Sequence, residues 1–281
     1  MADPSFYMRY PNFRNKAVTL SYDDGITPDL KLCDVLDRYG LKCTFNINAG
    51  YLGQPITHCE GRRLLSHEIE EIAARGHEIA AHGYKHKFLS ALPSPSLLYE
   101  MIRDRRELEA IVKRPVTGLA YAMGDYDERV IEILRRAGFR YARTTLSTRG
   151  FRTPIEPLAL HPTCHHNDAR LMELAKRFIE EPAYRGEPRL FYLWGHSYEF
   201  DEKHDNNWEV IEEFAAYIGG REDVWYVTNG EFLSYIEAYR ALVFDVDMKT
   251  VYNPTATDVY LCIDGKNAVA YAGKLAVLSE N

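Results

Sequence analysis

Apolar, β-prone runs and amphipathic stretches alternate along most of this 281-residue chain, and that alternation limits its fold more than any other feature. The strand-like runs are 17–22, 41–47, 77–82, 116–122, 139–144, 190–194 and 224–227. Residues 28–39, 66–75, 95–113, 127–137, 168–180, 206–218 and 230–242 read as helices, several closed by a glycine such as Gly40, Gly76 or Gly138. This rhythm predicts an α/β chain of parallel strands joined by helical crossovers. Polar residues gather after many strands rather than at one switch point, which favours a closed or nearly closed (β/α) barrel over an open sheet. From residue 243 the rhythm stops. Short β-like runs at 243–247, 258–263 and 267–278 are separated by the turn signals Asn253-Pro254 and Asp264-Gly265. They predict a small antiparallel appendage, so the chain divides into a barrel, 1–242, and a C-terminal β appendage, 243–281.

The strand ends carry the chemistry. Asp23 and Asp24 follow the first strand, His82 ends the third and Tyr121 closes the fourth. Arg143 lies near the end of the fifth, and His196 follows the sixth. In a barrel these ends share one face, so the residues converge. Neighbouring strand residues point to opposite faces, so Asp23 and Asp24 are expected to do different jobs, one holding a metal and one facing a substrate. Alone, Asp23-Asp24-Gly25 is a common turn signal. The spacing His82-Gly83-Tyr84-Lys85-His86 lets two imidazoles reach one ion. Two His and one Asp suit zinc or another divalent metal and leave positions for water and substrate. Cys164-His165-His166 is read as a polar loop on the same face, lining the substrate pocket or approaching the metal. Trp194, Tyr198 and Trp208 are candidates for stacking on a sugar ring.

Composition excludes several classes. The formal net charge is −7 with the two signs interleaved and no basic stripe, which argues against a nucleic-acid partner. No stretch approaches the roughly 20 apolar residues of a membrane span. Residues 1–12 lack an apolar signal core, so a cytoplasmic location is expected. The five cysteines (Cys33, Cys43, Cys59, Cys164, Cys262) are odd in number and form no C-x-x-C pair, so reduced thiols are expected rather than a disulfide frame or a thiolate zinc site.

Ser21-Tyr22-Asp23-Asp24-Gly25 is similar to the first motif, commonly TFDDG, of the polysaccharide deacetylases (the NodB-homology group, carbohydrate esterase family four). His82 to His86 resembles the second motif, H-[ST]-x-x-H, and Leu193-Trp194-Gly195-His196 the fifth, L-x-x-H. Order and spacing agree, over roughly residues 17–233. The resemblance implies that family's distorted (β/α)7 barrel, here with the β appendage. It implies one divalent metal ion, zinc foremost, held by Asp24, His82 and His86. It implies Asp23 as the general base, which takes a proton from the attacking water, and His196 as the general acid, which protonates the leaving amine. Tyr121, His165 and Trp194 are the expected substrate contacts.

The departures from the family pattern are specific. Where the third motif usually reads R-P-P-Y-G, this chain has Ala120-Tyr121-Ala122-Met123-Gly124-Asp125-Tyr126, with no arginine. Gly83 replaces the usual Ser or Thr, and the fourth motif, D-x-x-D-W, has no counterpart. Arg143, on the next strand, is the candidate to supply Asp23 with the missing cation. The implied activity is metal-dependent hydrolysis of a non-peptide carbon–nitrogen bond, foremost deacetylation of an N-acetylated sugar or related amide. Without an export signal, the expected substrate is a soluble oligosaccharide, a sugar conjugate or a small cyclic amide rather than a cell-wall polymer. Beside a structural or scaffolding role for the β appendage, which ranks below them, two other readings stand. One is a cyclic-amide (ureide) hydrolase on the same barrel. The other is a carbohydrate-binding protein that has lost catalysis, motivated by the missing arginine and opposed by the retained base, ligands and acid. Loops set the substrate and availability often sets the metal, so neither is named by these residues, and the oligomeric state is open.

Overall fold

The computed structural model describes residues 6–57, 61–154, 156–183, 186–201 and 207–278. After β1 (Phe6–Arg9) comes β2 (Lys16–Asp24), buried at every position but its first, as a parallel strand covered on both faces must be. Then follow β3 (Cys43–Ile47), β4 (Glu78–Ala81), β5 (Gly118–Ala120), β6 (Tyr141–Arg143), β7 (Cys164–His165), β8 (Arg189–Gly195) and β9 (Val224–Tyr226). Between and after them run α1 (Pro28–Arg38), α2 (Ser66–Ala74), α3 (Ser94–Val112), α4 (Glu128–Arg136), α5 (Leu171–Glu180), α6 (Trp208–Ile218) and α7 (Asn229–Arg240). The strands pair in parallel in the order β6-β5-β4-β3-β2-β8-β7. β9 takes the place of β3 beside the lower half of β2, pairing with residues 16–18.

The curled sheet is the expected distorted (β/α)7 barrel, and its distortion sits at one seam. Between β6 and β8 the chain runs irregularly from 160 to 163 into the two-residue strand β7. There Leu160 exchanges backbone hydrogen bonds with Ala142 and Thr144, while Thr163 and His166 donate to the carbonyls of Tyr192 and Trp194. A single segment thus bridges both edges of the sheet and answers backbone groups that an open edge would leave unpaired.

All seven expected barrel strands and seven expected helices are present, with ends shifted by a few residues. The fifth helix starts at Leu171 rather than 168 and the sixth at Trp208, residue 206 lying outside the described residues. Cys164-His165 corrects the loop reading: it is a strand, too short for any periodic signal and created by its pairing with β8. The appendage forms two sheets. One is β1-β12-β13, with β12 at Val259–Ile263 and β13 at Lys266–Ala270. The other joins β10 (Val243–Phe244), β11 (Thr250–Tyr252) and β14 (Leu275–Val277). The N-terminal strand therefore completes a sheet made by the end of the chain.

Two apolar clusters hold the molecule. The barrel core includes Leu20, Tyr22, Phe45, Phe191 and Phe214. The second, with Tyr10, Phe232, Tyr235, Val251 and Leu261, seals the appendage onto α7. Each such side chain contributes about 1.5–3 kcal/mol on burial. Among the described residues Cys33, Cys43, Cys164 and Cys262 are buried free thiols, and Cys59 lies outside them. No helix among the described residues is long and apolar enough to cross a membrane.

Candidate active site

β2 ends in a sharp turn. Asp24 has φ +86° and Gly25 φ +61°, both in the left-handed region, which Asp tolerates better than most residues. A Cβ at position 25 would sit 2.8 Å from Ile47 Cγ2, so glycine is required there. The turn separates the two neighbouring carboxylates.

Asp23 stays with the sheet and is buried. Asn46 Nδ2 donates to its Oδ1 at 2.9 Å, and the Arg143 guanidinium pairs with its Oδ2. Arg143 is itself fully buried, with Cζ 4.4 Å from the centre of the Trp194 ring. Burial opposes the charge on Asp23, but Arg143, with His82 and His196, holds its pKa below the usual carboxylate range. Asp24 faces the cavity. Burial opposes its charge too, and His82, Arg63, His196 and His86 hold it low.

Asp24, His82 and His86 each present one ligand atom, and these atoms lie within 4.8 Å of one another. His82 Nδ1 is 2.8 Å from the Ala120 carbonyl oxygen, which only an N–H can answer. The proton therefore sits on Nδ1, and the Nε2 lone pair faces the site, 3.2 Å from His86 Nε2. Burial, with His82 beside it, pushes His86 down to about 4, so its imidazole is neutral at pH 7. One low-pKa carboxylate and two imidazoles, one with its tautomer fixed by a backbone carbonyl, fit a divalent ion. The loop that carries them is braced from beneath. Asn48 donates to the carbonyls of His82 and Gly83, and Asp104 on α3 accepts the backbone N–H groups of Ala49 and His82.

His196 follows β8 with Nε2 4.0 Å from Asp23 Oδ2. Its other nitrogen, Nδ1, lies 3.5 Å from Glu199 Oε1. Glu199 stands in the short turn Ser197–Phe200 and is held by two further imidazoles, its Oε2 being 3.2 Å from His165 Nε2 and 2.9 Å from His166 Nε2. Asn167 N–H donates to His165 Nδ1, which leaves the His165 proton on Nε2, toward Glu199. Gly195 makes room for this cluster, since a Cβ there would run into the His166 ring. Burial disfavours a charged His196, yet Glu199, Asp23 and Asp24 outweigh it and raise the imidazole above its ordinary value.

These groups open onto a cavity of about 690 Å³ whose lining includes Asp24, Tyr51, Arg63, His86, Met123, His196 and Tyr198. The opposite strand ends border a cavity of about 450 Å³, where Glu78 is spent on Thr44 and Gly230 and serves the packing of α7.

Asp23, Asp24, His82, His86, Arg143 and His196 thus converge, while the expected substrate contacts do not. Tyr121 is buried, its hydroxyl on the Leu158 carbonyl and its ring stacked on Tyr126. Trp194 backs Arg143, and His165 borders a separate hollow with Arg149 and Asp168. Of the proposed stacking residues Tyr198 lines the cavity, whereas Trp208 sits under Lys31 and donates to Asp201. Burial pushes the Cys164 thiol up to about 12, which leaves it inert. Sequence reasoning missed Asn46, Arg63, Asp104 and Glu199. Asp104 had a signal, a carboxylate on the apolar stripe of Leu97, Met101 and Leu108.

Among solved structures the chain is similar to a candidate polysaccharide deacetylase from Mycobacterium smegmatis, with TM-score 0.59 and 19% identity over 85% of this chain and 96% of that one. It is similar to the carbohydrate esterase family four domain of a multidomain xylanase from the hindgut metagenome of Trinervitermes trinervoides, with TM-score 0.53 and 15% identity over 80% and 92% of the two chains. A third likeness, with TM-score 0.54 and 15% identity over 81% and 70%, is to a mutant of a family-four pseudoenzyme with restored enzymatic activity. No curated protein matches the chain. Those likenesses carry the fold, and residues 11–142, which span the Asp-Asp-Gly turn and both histidines, match the family model for polysaccharide deacetylase. With the family's barrel in place, residues 11–142 are a polysaccharide deacetylase domain of the NodB-homology superfamily.

Proposed function

We propose that the protein is a metal-dependent deacetylase acting on an N-acetylated sugar or a related amide, with zinc as the resident ion. One observation carries the reading: a low-pKa carboxylate and two imidazoles meet beside a second, arginine-paired carboxylate and a histidine whose pKa its acidic neighbours raise. Asp24, His82 and His86 hold the ion. When bound, it supplies Lewis-acid chemistry, lowering the pKa of water and polarising the acyl carbonyl. Asp23 accepts the proton of the attacking water on a carboxylate kept ionised and fixed by Arg143 and Asn46. His196 delivers a proton from Nε2 to the leaving nitrogen, and Glu199, behind Nδ1, fixes the ring and favours its charged form. Arg143 reaches Asp23 from β6 and does the work of the arginine absent from the third motif.

The test is acetate release from N-acetylglucosamine oligomers by zinc-loaded protein. Asp23→Asn and His196→Ala are expected to lower kcat by about 100-fold or more, the usual span for a general base or acid. Fully loaded wild type that releases no acetate from any N-acetylated sugar or amide overturns the reading in favour of a binding protein.

A further inference from the structure

Arg63 has no part in the chemistry above, yet it stands in the cavity wall. Its backbone is fixed from two sides. Arg63 N–H donates to Gln54 O at 2.9 Å, Leu64 N–H to Gly25 O at 2.8 Å, and Thr27 N–H to Arg62 O at 3.0 Å. This places the side chain against the turn after β2, only 13% exposed, with Nη1 3.0 Å from Asp24 Oδ1 and also donating to the Asp24 carbonyl. Cζ lies 5.5 Å from the centre of the Tyr51 ring, which Lys85 Nζ also approaches, at 4.6 Å.

A guanidinium offers five N–H groups in a planar fork. Nη1 alone is engaged with Asp24, and Nε and Nη2 make no hydrogen bond to another described residue. The Nε–Nη2 edge is the one that grips a carboxylate or phosphate with two parallel bonds. Charge points the same way. Arg143 already answers Asp23, and a divalent ion takes the charge of Asp24. Among the described residues the bound site is then left with Arg63 as a surplus cation, and a second cation, Lys85, lies on the same Tyr51 ring, in a chain whose formal net charge is −7. A half-buried cation beside another cation calls for an anion.

We propose that Arg63 is a specificity residue, and that the substrate is an N-acylated sugar carrying a carboxylate or a phosphate near the scissile amide. The inference rests on the deacetylase reading for the reaction but not for the anion contact. Three probes separate the possibilities: neutral N-acetylglucosamine, its 6-phosphate, and N-acetylmuramic acid, which carries a carboxylate. Each is assayed for turnover and for its shift of the thermal midpoint, on wild type, Arg63→Gln and Arg63→Lys at equal metal loading, because Arg63 touches a ligand. Wild type is expected to prefer one anionic probe over its neutral twin by about tenfold or more in kcat/KM, as a charge-assisted pair supplies. The phosphate and carboxylate arms identify which anion it reads. The preference falls to about one in Arg63→Gln and lies between in Arg63→Lys, which keeps the charge and loses the fork. Equal use of all three probes by wild type overturns the proposal and leaves the deacetylase reading intact. A preference that survives Arg63→Gln also overturns it, because the metal then reads the anion. Arg63-dependent binding of an anionic probe supports this inference even where fully loaded wild type releases no acetate from any N-acetylated sugar or amide, the result that refutes the deacetylase reading.

Discussion

Replacing Arg143 by methionine removes the charge that faces Asp23 and keeps most of the side-chain volume. The guanidinium is fully buried and Asp23 is only 3% exposed, so water cannot take the place of the lost partner. Asn46 Nδ2, at 2.9 Å, is the only uncharged donor left on the carboxylate among the described residues. Breaking a buried pair by removing one partner costs about 3–5 kcal/mol, most of it for stranding the other charge. The stacking of Arg143 on Trp194 adds about 0.5–2 kcal/mol. Arg143→Met is therefore expected to lose about 4–7 kcal/mol in urea unfolding, and Asp23→Asn, which strands the guanidinium but keeps the stacking, about 3–5 kcal/mol. The double variant removes both charges and is expected to return to within about 2 kcal/mol of wild type, because an uncharged replacement of a buried pair is often near neutral. A single-variant cost under about 1 kcal/mol, or strictly additive losses, refutes the claim that the two groups form one buried unit.

Two further outcomes follow from the titrating groups. Glu199→Gln removes a carboxylate that raises His196, so the alkaline limb of the kcat profile moves to lower pH while substrate affinity changes little; an unmoved limb contradicts the assigned role. His77 is buried with Nδ1 accepting the Cys43 N–H at 3.2 Å, and burial pushes it down to about 4, against about 6.5 in the unfolded chain. The unfolded state binds this proton first, so its stability contribution is full above pH 6.5 and is lost as pH falls toward 4, about 3 kcal/mol in all. His77→Gln is expected to flatten that decline in urea midpoints, and an unchanged slope rejects the assignment.

The barrel was legible because buried parallel strands are continuous apolar runs, as in 17–22 and 190–194, and each is followed by an amphipathic helix. β7 and β1 were not legible, for one physical reason. Cys164-His165 becomes a strand only beside β8, and Phe6–Arg9 only beside residues some 250 positions away in the chain. The residues proposed as ligands, base and acid could be picked out because they sit in motifs at strand ends, and the structure brings them together. Arg143 could be read only as a candidate, since its contact with Asp23 depends on the curl of the sheet. Tyr121 and Trp194 misled because an aromatic residue at a strand end suits packing as well as a pocket, and here one caps Leu158 and the other backs an arginine. Arg63 and Glu199 owe their places to turns whose geometry no periodicity encodes.

The central claim is that Asp24, His82 and His86 form a metal site, and elemental analysis tests it most directly. Purified wild type and His82→Ala are incubated with excess zinc, desalted and measured side by side. The account predicts about one equivalent of divalent metal in wild type and its loss in His82→Ala. No bound metal in wild type, or equal metal in both proteins, contradicts it.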